Sequence, residues 1–142
     1  MLFSAAGDSE PYRAARSLRI VIADDDPDTT RTLATLLRDE GHEVRGVLSG
    51  RHVMAAVIEL EPDVVVLDIN LPEVSGWQLA STIRGRRPKK LPLLIGISGE
   101  FTTDADRRLA HTSGFDHYLV KPSALEDLLK LLAPLTDPTR NQ

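Results

Sequence analysis

Cysteine is absent from the 142 residues. Its absence excludes disulfides and thiolate metal sites and suits a reducing compartment. No apolar run approaches the roughly 20 residues of a membrane-spanning helix. A signal peptide is not legible either. In "MLFSAAGDSEPYRAARS" the apolar block is short and no basic residues precede it. The chain also lacks an excess of positive charge. Seventeen Lys and Arg stand against 21 Asp and Glu, a net charge of −4. That balance gives no general attraction to nucleic acid. There is no internal repeat and no low-complexity segment.

What is present fits one ordinary domain with a single sizeable core. We expect a flexible lead-in over residues 1–17, one domain over 18–135, and a flexible tail over 136–142. "LRIVIA" and "DVVVLD" are short apolar runs rich in β-branched residues, as in strands covered on both faces. "HEVRGVL", "LPLLIGIS" and "FDHYLV" read as three more strands. Gly46 and Gly96 fall inside two of them, where glycine usually weakens the element.

Between the strands lie amphipathic helices. Leu33, Leu36 and Leu37 mark the first, which Gly41 stops. "GRHVMAAVIEL" places Val53, Ala56, Val57 and Leu60 on one face. "GWQLASTIR", "TTDADRRLAHTSG" and "SALEDLLKLLAPL" complete a set of five. Five βα repeats predict an α/β fold: a doubly wound, five-stranded parallel sheet with helices on both faces. The strand order 2-1-3-4-5 is the natural choice, and sites in such sheets form beyond the carboxyl ends of the strands.

At those ends stand Asp24, Asp25 and Asp26 after strand one, Asp68 after strand three, Ser98 after strand four and Lys121 after strand five. Acids, a hydroxyl and an ammonium thus converge from four strands. Three adjacent aspartates repel, each contact at ~4 Å and an effective dielectric of about 20 costing on the order of 4 kcal/mol. Oxygen-only ligands suit a hard cation such as Mg²⁺. A hydroxyl and a lysine suit the remaining oxygens of a phosphoryl group. Asp68 stands alone at its strand end and can serve as a nucleophile in aspartyl-phosphate chemistry. Asp26 precedes Pro27 and reads as the N-cap of helix one, with Asp28 complementing the helix dipole.

Across roughly Leu18 to Leu135, the chain resembles a receiver domain of the two-component response regulator family. The matching pieces are "IVIADDDPD", "DVVVLDINLPEVSG", "LLIGISGE" and "DHYLVKPS". The resemblance implies a flavodoxin-like fold of the chemotaxis single-domain type. It implies that Asp68 accepts phosphate from a phosphohistidine. It implies Mg²⁺, with Mn²⁺ as a substitute, held by Asp25, Asp68 and the backbone carbonyl of Asn70, and by Asp24 largely through water. Ser98 and Lys121 would meet the phosphoryl oxygens, and Tyr118 would be the aromatic switch. Pro122 would follow a cis peptide bond. Asn70 and Glu100 would tune dephosphorylation.

The implied partners are a sensor histidine kinase or a histidine phosphotransfer protein. A downstream protein would read the face of helix four, strand five and helix five. We expect no direct nucleic-acid contact from the charge balance, no membrane from the lack of a long apolar run, and a cytoplasmic setting. The protein would be a signalling phosphoacceptor, not an enzyme. Only a short tail follows Leu135, which suggests a single-domain regulator. A receiver excised from a hybrid kinase or larger regulator is the alternative. A Mg²⁺-dependent phosphohydrolase is a further one, opposed by Asn70, which stands where such enzymes carry a second aspartate.

Other features read as ordinary surface. His42, His52, His111 and His117 have no metal-ligand spacing and read as surface residues or as support behind a site. "RGRRPKK" reads as a solvated loop away from the aspartates. Trp77, the single tryptophan, lies near the acidic residues in sequence and is a candidate reporter.

Overall fold

The computed structural model describes residues 16–86, 91–99, 104–105, 108, 112–121 and 124–136. The expected lead-in, apart from Arg16 and Ser17, and the expected tail, apart from Thr136, lie outside these residues. So do Glu100, Pro122 and His111.

The described strands are β1 (Arg19–Ala23), β2 (Glu43–Val47), β3 (Val64–Asp68), β4 (Leu93–Ser98) and β5 (His117–Val120). All neighbours pair in parallel, in the order β2-β1-β3-β4-β5. The predicted topology is therefore the observed one. The helices are α1 (Pro27–Asp39), α2 (Val53–Leu60), α3 (Gly76–Gly85) and α4 (Ala124–Thr136). Helix α4 is the fifth of the predicted helices. The fourth, over residues 102–114, falls mostly outside the described residues, and Asp104, Ala105, Arg108 and Thr112 within it are helical.

Alternation along the strands divides the core into two layers. Val21, Ala23, Val65 and Leu67 face α2 and α3, where Val53, Ala56, Val57, Leu60, Leu79 and Ile83 are buried with Phe115. Ile20, Ile22, Val64, Val66, Ile95 and Ile97 face the other way, against Leu33, Leu37, Leu128 and Leu132 of α1 and α4. Helices on both faces explain why β3 is buried along its whole length and apolar up to its last residue, Asp68. Each buried Leu, Ile or Val contributes on the order of 1.5–3 kcal/mol.

Three local features differ from the sequence expectation. Gly50–His52 form a 3₁₀ turn before α2 rather than its first turn. Gly96 is a packing position rather than a weak point: a Cβ there would lie 2.9 Å from Ile69 Cδ1 and 3.2 Å from a Phe115 ring carbon. Arg84, expected in a solvated basic run, is instead a structural tie. Its Nε donates to Gly114 O at 3.0 Å, its Nη1 to Pro92 O at 3.3 Å, and its Nη2 to Asp116. Asp116 in turn accepts from Leu94 N at 2.8 Å. The tie closes the amino ends of β4 and β5 onto α3.

Candidate phosphoacceptor site

Strand β1 ends at Ala23, and the chain then places Asp24 in the sheet edge, 4% exposed. Both of its carboxylate oxygens are engaged. Oδ1 accepts from the backbone N–H of Asp26 at 2.9 Å, and Oδ2 lies 3.2 Å from Lys121 Nζ. Its backbone carbonyl accepts from Thr30 Oγ1 at 2.9 Å, which pins the first turn of α1 beneath it. Asp25 is exposed. Asp26 caps α1, accepting from Asp28 N at 3.1 Å and from Thr29 Oγ1 at 2.8 Å. The Thr29 hydroxyl and the Asp28 amide hold Asp26 below the ordinary carboxylate range. The acidic run thus divides into two residues at the edge and one helix cap.

Asp68 is the last residue of β3 and 9% exposed. Asn70 turns back over it, its N–H donating to Asp68 Oδ1 at 2.9 Å. Gly76 closes the following loop, its N–H donating to Ile69 O at 3.0 Å. A Cβ on Gly76 would stand 2.9 Å from Asp68 O and from Ile69 Cα, so only glycine permits this approach. Burial pushes the Asp68 carboxyl above its ordinary range. The Asn70 amide and Lys121 oppose that shift, and the charges of Asp24 and Asp25 add to it.

Carboxylate oxygens of Asp24, Asp25 and Asp68 all lie within 4.8 Å of one another. Three oxygen donors at this spacing, with no sulfur or imidazole among them, fit a hard divalent cation. Ser98 ends β4, buried at 3% exposure, one residue beyond Ile97, which pairs with Asp68. Lys121 N donates to Ser98 O at 2.9 Å, which carries β5 to the same edge. Asp24, Asp25, Asp68, Ser98 and Lys121 therefore occupy one edge, as expected.

Tyr118 lies on β5, half-buried. Its ring stacks on Trp77, with centroids 6.3 Å apart and planes 13° apart. Trp77 also meets Phe115 edge to face at 6.0 Å. Sequence placed Trp77 near the aspartates along the chain but gave no sign of this stack. The Thr30 bond to the Asp24 carbonyl was equally hidden. His42, expected at the surface or in support behind a site, is half-buried and accepts from Leu18 N through Nδ1 at 3.1 Å.

The sheet order and the position of the acidic edge define a CheY-like doubly wound protein. Residues 20–133 match the response regulator receiver domain family, and the chain belongs to that family. It is 37% identical over 119 residues to the transcriptional regulatory protein TcrA of Mycobacterium tuberculosis, covering 84% of this chain and 46% of that protein. The chain spans about half the length of the curated relatives it matches first. Among solved structures it is similar to the chemotaxis response regulator CheY4 of Vibrio cholerae. That match has 26% identity and a TM-score of 0.75, and covers 82% of this chain and 97% of the other. The fold also matches the receiver domain of Saccharomyces cerevisiae Ssk1, solved with the histidine phosphotransfer protein Ypd1. There the TM-score is 0.76 at 21% identity, over 86% of this chain and 90% of that one. No helix among the described residues is long and apolar enough to cross a membrane.

Proposed function

We propose that this receiver domain is a phosphoacceptor switch whose acceptor is Asp68. The observation that carries the reading is the carboxylate cluster of Asp24, Asp25 and Asp68 within 4.8 Å, with Lys121 3.2 Å from Asp24. An oxygen of Asp68 attacks the phosphorus of a phosphohistidine. The P–N bond breaks, the imidazole leaves, and an acyl phosphate forms. Asp24, Asp25, Asp68 and the carbonyl of Asn70 would hold Mg²⁺, which neutralises phosphoryl charge when bound.

Chain groups do the rest. The Asn70 N–H orients the Asp68 carboxylate. Lys121, already at the cluster, pairs with the incoming oxygens, and the Ser98 hydroxyl donates to them. The added charge then shifts a two-state equilibrium in which Ser98 moves toward Asp68 and Tyr118 follows. The output surface is the face of β5 and α4 together with the helix that the sequence predicts between β4 and β5. Asn70 and Glu100 set the lifetime of the acyl phosphate. The domain over residues 18–135 acts as a signalling element, not an enzyme, and works in the cytoplasm. Its phosphodonor is a sensor kinase or a histidine phosphotransfer protein of the kind held by Ssk1 in its complex.

The test is labelling by a small-molecule phosphodonor such as acetyl phosphate with Mg²⁺, read by intact mass. The parent chain gains one phosphoryl group and Asp68→Asn gains none. Equal labelling of the variant overturns the assignment.

A further inference from the structure

We propose that Trp77 is a positioning residue for the switch, acting through the face of Tyr118. The inference rests on the phosphoacceptor reading above and extends it to a residue on α3. Trp77 has two attachments. Its backbone follows Gly76, which is bonded to Ile69 O and lies against the backbone of Asp68. Its indole covers the ring of Tyr118, nearly parallel at 6.3 Å, three residues before Lys121 on the same strand run. Trp77 therefore joins the loop that leaves the acceptor to the strand that delivers the lysine. This path does not pass through Ser98.

The direction of its effect follows from burial. Both rings pack against the buried cluster on the α2 and α3 side of the sheet. Phe115, 2% exposed, braces the indole from its edge. The stack therefore favours Tyr118 held against the core over Tyr118 turned out to solvent. An aromatic pair of this geometry contributes enough to bias an equilibrium by about two- to tenfold. Trp77 thus raises the population of the core-packed Tyr118 that responds to phosphoryl charge.

The experiment is calorimetric titration of the whole chain with beryllium fluoride, a phosphoryl mimic, at saturating Mg²⁺. Trp77→Leu is expected to weaken binding by about two- to tenfold. Trp77→Phe, which keeps a ring for the stack and tests that the fold survives, is expected to recover most of the loss. In a Tyr118→Ala background, Trp77→Leu is expected to change binding little, because its route is gone. Unaltered affinity in Trp77→Leu overturns the proposal. So does an equal loss with and without Tyr118, which would mark Trp77 as packing alone. A parent chain that does not bind the mimic overturns the phosphoacceptor reading itself, and this inference with it.

Discussion

Lys121 Nζ lies 3.2 Å from Asp24 Oδ2, although their strands are separated in the sheet by β3 and β4. The lysine is partly exposed and the aspartate almost wholly buried. The ammonium thus neutralises part of a carboxylate cluster that a divalent cation would also neutralise. Removing it leaves a buried charge without its partner. Lys121→Ala should therefore melt at lower temperature in chelator and gain more from Mg²⁺ than the parent does. A thermal-shift titration measures both, and a smaller Mg²⁺ gain in the variant would contradict the competition.

Asp25 and Asp26 are neighbours with separate jobs. Asp25 contributes to the cluster, whereas Asp26 caps α1 through Asp28 N and Thr29 Oγ1. Asp25→Asn should abolish Mg²⁺ binding, as calorimetric titration would read. Asp26→Ser keeps a capping oxygen and should leave it nearly intact. Equal losses from the two substitutions would refute the division.

The Asp68 carboxyl is raised chiefly by burial. A raised folded-state value means that folding disfavours the ionised form. Its stabilising contribution is complete below the unfolded value of about 3.9 and is lost as pH rises through the folded value. Asp68→Asn carries no such charge. In chelator near neutral pH it should melt at higher temperature than the parent, and the advantage should shrink in acid. Melting curves across pH check this.

His42 titrates in the opposite sense. Burial holds it below the ordinary histidine range, against the opposing charges of Glu40 and Asp63. Its Nδ1 accepts from Leu18 N, so the bonded form is neutral. Unfolded histidine takes a proton near pH 6.5 and the folded chain resists it. The stability it contributes is therefore complete above about 6.5 and falls as pH drops below that value. His42→Asn, whose amide oxygen can accept the same bond, should flatten this slope in urea melts between about pH 6.5 and 5.

The Arg84 tie predicts a stability effect separable from function. Arg84→Ala strands acceptors on Gly114, Pro92 and Asp116, and should cost about 1–3 kcal/mol in urea unfolding. The tie sits at the amino ends of β4 and β5, opposite the acidic edge. Labelling of Asp68 by a phosphodonor should persist in the folded variant, as intact mass would report.

The acidic edge was legible because it depends on local signals. Apolar runs such as "DVVVLD" need cover on both faces, and the residue after each run must emerge at a strand end. Given the strand order, Asp24, Asp68, Ser98 and Lys121 had to meet. The division of "IADDDPD" was legible for the same reason, since capping is decided within four residues of chain.

Contacts between elements distant in sequence carried no such signal. Arg84 sat in a basic run that looked solvated, and only the approach of β4 and β5 supplied its acceptors. Trp77 and Tyr118 are aromatic residues 41 positions apart (118 − 77), and neither spacing nor composition relates them. By itself the sequence determined the order of elements, the two-sided core and which side chains stand at the carboxyl edge, because these follow from periodicity and chain direction. Tertiary structure alone decided which oxygen of Asp24 meets Lys121, what Arg84 binds and where Trp77 rests. Those choices depend on side-chain packing between elements brought together by the sheet, and no local pattern encodes that packing.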